Sequence, residues 1–144
     1  MTATITQARD EMLTTFRTAW EAGPPSASLP VMWPDVAAQK PPTSGAWARV
    51  DIKHNTSRKA TLSNGVGMRR FRRTGLLTVQ IFTPPGDGQV LSDQLTIIVK
   101  NAFEGVTTSP GRVMFRDVWL REVGQGGNFY QVNVLAEFEY DEVR

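Results

Sequence analysis

The 144-residue chain contains no cysteine, one histidine and two tyrosines. Without thiols there is no disulfide framework and no thiolate metal site. His54 alone, beside a polar stretch, supplies neither a histidine-based triad nor a multi-histidine metal centre, and it reads as a surface residue at a strand end. No apolar run approaches the roughly 20 residues of a membrane span, and the N-terminus lacks a basic stretch leading into an apolar core. A soluble protein made in the cytoplasm, with no membrane partner, is the expectation. No acid occurs between Ile52 and Gly86, although Lys53, Arg58, Lys59, Arg69, Arg70, Arg72 and Arg73 all lie there.

What is present suits one domain, residues 1–144, large enough to bury roughly two-thirds of its unfolded surface. The net charge is only +2 with a pI near 9.3, which by itself argues for no nucleic-acid partner. The distribution matters more than the total. Against the basic run stands an acidic C-terminus with Glu137, Glu139, Asp141 and Glu142. Two solvated faces account for this, or two complementary patches on one monomer.

Ile5, Ala8, Met12, Phe16 and Ala19 recur at helical spacing, Thr4 and Gln7 are placed as a capping box, and Gly23-Pro24 follows as a stop. A helix over about 5–22 results. Residues 23–45 hold six of the prolines and read as a long connection, with an apolar island at Leu29 to Trp33 that can add an edge strand. Ala48, Val50 and Ile52 alternate with Arg49, Asp51 and Lys53 as a strand with one wet face, and the small polar residues of 54–67 predict a flexible hairpin loop. Leu77, Val79 and Ile81 alternate again. Leu91, Leu95, Ile98, Ala102 and Phe103 then form a helical stripe ended by Gly105. Val113 to Val123 and Phe129 to Tyr140 make a final hairpin around Gly124, Gly126 and Gly127. The order helix, strand, strand, helix, strand, strand predicts an α+β fold, with a mainly antiparallel four- to five-stranded sheet and both helices on one face.

Catalytic chemistry finds little support. The acidic pairs Asp10/Glu11, Glu137/Glu139 and Asp141/Glu142 read as solvated charge, and the glycine clusters lie between strands, outside the strand-loop-helix context of a phosphate cradle. No cofactor and no metal are expected, and the protein reads as an assembly part rather than an enzyme. Phe71 within the arginines gives the stretch a phosphate-binding composition, so a small nucleic-acid-binding module is the alternative of a different class.

The run Arg73-Thr-Gly-Leu-Leu-Thr-Val-Gln-Ile-Phe-Thr-Pro, then Gly86-Asp-Gly, a helix ending at Phe103, and Gly127-Asn-Phe-Tyr-Gln-Val-Asn-Val with Phe138-Glu-Tyr resembles the tail terminator proteins of long-tailed bacteriophages over about residues 46–142. The resemblance implies a structural virion protein at the head-proximal end of the tail. It also implies a ring, commonly hexameric, that caps the tail tube, stops its polymerisation and provides the surface for head joining. A neck or head-completion protein of the same fold is the related alternative. The implied partners are further copies of the chain, the tail tube protein and a neck protein, with DNA passing nearby. No catalytic residues carry over. By charge alone, Arg58, Lys59, Arg69, Arg70, Arg72 and Arg73, with Glu137, Glu139, Asp141 and Glu142, are the candidates for the contact with a neighbouring subunit or the tube.

Overall fold

The computed structural model describes residues 2–34, 36, 40–62 and 65–144. Residues 35 and 37–39 of the proline-rich connection and Ser63 and Asn64 of the expected loop lie outside the described residues. Helix α1 spans Ile5–Glu21 and begins at the capping box: the Gln7 N–H donates to the Thr4 hydroxyl at 3.2 Å, and the Thr4 N–H donates to Gln7 Oε1 at 3.0 Å. Its buried stripe is Ala8, Glu11, Met12, Phe16 and Trp20. The inward residue of the last turn is thus Trp20 and not Ala19, and Ile5 stays 44% exposed.

The sheet contains β1 (Val31–Met32), β2 (Trp47–Lys59), β3 (Arg70–Thr83), β4 (Val113–Gly126) and β5 (Phe129–Val143) in the order β1-β2-β3-β5-β4. Every pairing is antiparallel except β1 with β2, so the apolar island does form an edge strand. A short 3₁₀ turn, Pro85–Asp87, leads into α2 (Gly88–Phe103). The expected loop from His54 is strand as far as Lys59, paired back to Phe71 and interrupted by one irregularity between His54 and Ser57. Polar side chains did not prevent pairing, because an antiparallel ladder is held by backbone groups and needs no apolar face at each position. The connection that remains runs from Ala60 to Arg69. Ala60 donates its N–H to the Arg70 carbonyl at 2.7 Å, and Met68 donates to Gly65 at 3.0 Å.

Alternation decides what the helices cover. Leu77, Val79 and Ile81 of β3, Val134, Ala136 and Phe138 of β5, and Ala48, Val50 and Ile52 of β2 meet Met12, Phe16 and Trp20 of α1 and Leu95, Val99 and Phe103 of α2 in one core. In α2, Val99 is buried where the sequence stripe placed Ile98, which is half-buried. Gly75 lies level with His54 on one side and Phe138 on the other. A Cβ there would stand 2.3 Å from the Lys53 carbonyl oxygen and 2.5 Å from the Phe138 ring, so only glycine lets that ring cross β3.

One polar device pins α1 to the loop before β4. Glu11, 9% exposed, accepts from the Thr108 hydroxyl at 2.7 Å and from Arg112 Nη1 at 3.0 Å. Glu11 is therefore structural and not the solvated charge its sequence position suggested. A buried carboxylate needs such partners to satisfy its hydrogen-bonding capacity.

Phe138 is fully buried and touches Phe115, His54 and Tyr140. Phe138→Ala should cost about 3–5 kcal/mol, read as a lower denaturation midpoint. An unchanged midpoint would contradict the placement of this ring between sheet and helices.

Candidate functional site

At one end the sheet runs on as three strands, because β2 beyond Ser57, the first residues of β3 and the last residues of β5 continue to pair after β4 has begun at Val113 opposite Tyr140. All ten charged residues named from the sequence lie on or beside these strands. The unbroken β3–β5 register sets Arg70 opposite Val143, Phe71 opposite Glu142, Arg72 opposite Asp141 and Arg73 opposite Tyr140. Beyond it, Arg69 and Arg144 exchange backbone hydrogen bonds at 3.2 and 2.8 Å, and the Arg69 Nε–H donates to the Arg144 carbonyl at 3.3 Å.

The basic and acidic runs are thus neighbours inside one subunit, not separate patches on opposite sides. Arg72 Nε meets Asp141 Oδ1 at 3.1 Å, and Arg70 Nη1 approaches the other oxygen of Asp141 at 3.9 Å. Arg73 donates through Nε at 3.1 Å and Nη2 at 2.6 Å to Glu142 Oε1, contacts the Ser57 hydroxyl, and lies over the Phe71 ring. Glu139 forms an ion pair with Arg116 of β4, Nε to Oε1 at 3.5 Å. Hydrogen bonding by Asp141 raises the Arg72 pKa further above its ordinary range, helped by the charges of Asp141 and Glu139. The sequence could not show this, since charges 69 positions apart become partners only once the register is known. Arg58 sits opposite Arg72 with no acid between them, and Lys59 sits opposite Phe71. Among the described residues no ion pair is found for Arg58 or Glu137.

This arrangement fixes strand ends and leaves little uncompensated charge for phosphate. Arg70, Arg72 and Arg73 already face carboxylates at ion-pair distance, which weakens the reading of the run as a nucleic-acid-binding stripe. The apolar features here are at the turn: Leu62, Val66 and Met68 are 98%, 85% and 71% exposed.

Where this end joins the core, His54 Nε2 lies 2.8 Å from the Tyr140 hydroxyl, and its ring stands edge-on to Phe138 and Tyr140 at centroid distances of 5.3 and 5.7 Å. His54 is therefore an inward-packed partner and not the plain surface residue expected. Burial lowers its pKa from the usual 6.5, Arg9 and Arg73 act in the same direction, and Glu142 opposes them. Burial also raises the Tyr140 pKa above 10.0, with Glu142 adding to the effect and Arg73 and Arg9 opposing it. A phenol made harder to ionise beside a neutral imidazole is suited to holding a hydrogen bond, not to supplying a nucleophile. Among the described residues, no three His, Asp or Glu side chains are grouped to hold a metal ion, and no helix is long and apolar enough to cross a membrane.

With this geometry in place, comparison with known proteins is informative. Residues 4–118 match the family model described as phage tail terminator protein, a span that takes in both helices, β1 to β3 and the start of β4. No curated protein matches the sequence. One solved structure, 22% identical, superimposes with a TM-score of 0.66 over 92% of this chain and 94% of its own; at that identity it shows the fold alone.

Two outcomes follow from the pairing. Reversing Arg70, Arg72 and Arg73 to Glu together sets like charges against Asp141 and Glu142, so it should lower stability by roughly 1–3 kcal/mol, seen as a melt several degrees lower. An undisturbed melt would mean that the pairs with Asp141 and Glu142 hold nothing in place. The second concerns acid. Because the unfolded chain takes up the His54 proton near pH 6.5 and the folded chain only at lower pH, the stability due to neutral His54 is complete above 6.5 and is lost as the pH falls through that interval. The advantage of the native protein over His54→Gln should shrink between about pH 7.5 and 5.5 in paired denaturation curves. A constant difference would show that the imidazole titrates alike in both states.

Proposed function

The chain belongs to the phage tail terminator protein family, and we propose that it caps the tail tube as a ring of identical subunits, stops the tube's polymerisation and presents the surface to which the head is joined. The coarser statement, a structural component of a phage tail, follows from the family itself. The finer one is supported by the extent of the match: the family model spans both helices, β1 to β3 and the start of β4, so the likeness runs through most of the fold and not one segment of it. An open sheet with edges formed by different strands, β1 with β2 at one side and β4 at the other, is compatible with this reading. Such edges join head to tail into a closed ring of one kind of chain. The partners are further copies of this chain, the tail tube protein and a neck or head-completion protein.

The charged end of the sheet is our candidate for the contact with the tube or with a neighbouring subunit. It projects Arg58 and the exposed Leu62, Val66 and Met68 from the β2–β3 turn, while Arg69, Arg70, Arg72 and Arg73, with Lys59, Glu137, Glu139, Asp141 and Glu142, shape the strands that carry it. Apolar side chains left exposed together on a surface mark candidate contact sites. The assembly belongs in the host cytoplasm and the product at the head-proximal end of the tail.

The reading is tested by native mass measurement and sedimentation of the purified protein across concentration, alone and with purified tail tubes, alongside tails assembled without it. We expect a discrete multiple of the 16.0 kDa subunit and, in its absence, overlong tails without heads. A protein that stays monomeric with tubes present, together with tails of normal length when it is missing, would sink the proposal.

A further inference from the structure

β4 is a terminal strand of the sheet, and its outer edge is covered only at its start. There Thr107 bridges Met114, and Phe115 donates its N–H to the Val106 carbonyl at 2.9 Å. At the far end the pairing with β5 breaks register between Glu122 and Gly124, whereas Val118 to Glu122 pair without a break. The open stretch between these limits is Arg116-Asp117-Val118-Trp119-Leu120-Arg121-Glu122, with Trp119 at its middle. Trp119 is 44% and Leu120 45% exposed, and the charged residues to either side are exposed as well. Arg116 reaches Glu139, but Asp117, Arg121 and Glu122 have no ion-pair partner among the described residues.

The register fixes which backbone groups face outward. The Val113 carbonyl accepts from the Thr108 N–H, and the Phe115 N–H donates to Val106, so both residues turn a hydrogen-bonding group away from β5. They lie opposite Tyr140 and Phe138, and the same alternation along β5 reaches Ala136 and Val134, opposite Val118 and Leu120. Val118 and Leu120 therefore present their N–H and C=O at the open edge, while Trp119 gives its own to β5. The side chains divide likewise. Trp119 lies opposite Leu135 on the face away from the helices, and Val118 and Leu120 lie opposite the core residues Ala136 and Val134.

This edge is complementary to its own reverse. Turned end for end about Trp119, the stretch sets Asp117 against Arg121, Arg116 against Glu122, Val118 against Leu120, and Trp119 against its own counterpart. Neighbouring registers lose the match. An axis at Leu120 opposes Trp119 to Arg121 and Val118 to Glu122, and an axis at Val118 opposes Arg116 to Leu120 and Asp117 to Trp119. Charged residues on an edge strand ordinarily keep other strands away. An antiparallel copy of this one meets the opposite charge at each of them.

We propose that the free protein forms a two-fold dimer in which β4 pairs antiparallel with β4 of a second copy, centred on Trp119. The axis stands perpendicular to the sheet, so the strands meet edge to edge in one plane and both copies keep their helices on the same side. Val118 and Leu120 exchange backbone hydrogen bonds with Leu120 and Val118 of the second copy, and the two Trp119 residues form the closely spaced, non-hydrogen-bonded pair between them. Their indoles pack together on the helix-free face, in one row with Leu135 of each copy. The Asp117 to Arg121 pair is made twice. The ladder is bounded at matching places, since Arg116, next to the covered residue Phe115, meets Glu122, next to the break. Such a contact closes on itself and leaves no β4 edge to extend. It is therefore a state of the free subunit that goes beyond the ring reading without resting on it, and a ring joined through this edge requires the dimer to part first.

Two measurements on the protein without tubes test the dimer. Sedimentation across concentration compares the native chain with Asp117→Arg, Arg121→Asp and the double swap, all at exposed positions, with circular dichroism confirming the fold. The native protein should pass from monomer to dimer, and each single variant should associate at least about tenfold more weakly, which is 1.4 kcal/mol at the interface. The double swap should recover most of the loss, and so should an equimolar mixture of the two single variants, because each supplies the charge the other lacks. The second measurement uses the absence of cysteine from the chain. Trp119→Cys places one thiol at the axis, where opposed Cα atoms lie about 4.5 Å apart, a distance a disulfide spans. Under mild oxidation it should cross-link to a covalent dimer several-fold faster than Val123→Cys. A native protein that stays monomeric or passes directly to a ring, charge variants that associate as the native chain does, or equal cross-linking at the two cysteine positions would each overturn the dimer. The ring reading is decided separately, by the tube-bound state.

Discussion

The pairing of β3 with β5 is the constraint on which the rest of the structure depends. It runs from Arg70 opposite Val143 to Thr83 opposite Tyr130 without a bulge, while both neighbouring pairings are interrupted. An unbroken ladder preserves parity over its full length, so one choice of register places Leu77, Val79, Ile81, Val134, Ala136 and Phe138 under the helices and brings Arg72 to Asp141. A slip of one residue would turn Phe138 outward, bury Glu137 or Glu139 beneath α2, and separate the ion pairs. Core burial and charge pairing thus select the same register, a consistency between levels that marks a well-specified fold.

The crossing at Gly75 shows how narrowly that register is accommodated. His54, Gly75 and Phe138 are level across three strands, and the Phe138 ring uses the space a Cβ would fill. A glycine in the middle of a strand is unfavourable for backbone entropy, and here the loss is offset by an aromatic ring that covers the gap and packs edge-on against the imidazole. The same packing draws His54 inward and gives its ring nitrogen a phenol partner. A histidine that looked peripheral in the sequence therefore reports on the junction between core and charged end.

Much of the architecture was legible because its causes are local. The Thr4–Gln7 box, the alternation through Tyr130 to Tyr140, the apolar island before Trp33 and the glycine after Phe103 each act within a few residues, and each marks an element of the structure. The misread features depend on contacts distant in the chain. β2 continues through polar residues because β3 offers it a ladder, and Glu11 is buried because Thr108 and Arg112 reach it from about a hundred residues away. The charged run was the most misleading case. Its segregation along the chain is real, but in space it is the two halves of a set of pairs, so a sequence charge map overstated the field that the folded subunit presents.

That correction bears on the proposed self-association. Acids and bases that satisfy one another within the subunit contribute little between subunits, since exposed pairs are worth at most about 1 kcal/mol and these are already made. Under the proposed ring, the apolar side chains left exposed on the sheet are better candidates for contact than the paired charges: Trp119 and Val123 along β4, and Leu62, Val66 and Met68 in the β2–β3 turn. These lie at two different boundaries of one sheet, so two contacts need not compete for the same residues. The unbroken β3–β5 ladder lies between them, with β5 paired to β4 and β3 paired to β2, so both boundaries are carried by one continuous set of backbone hydrogen bonds.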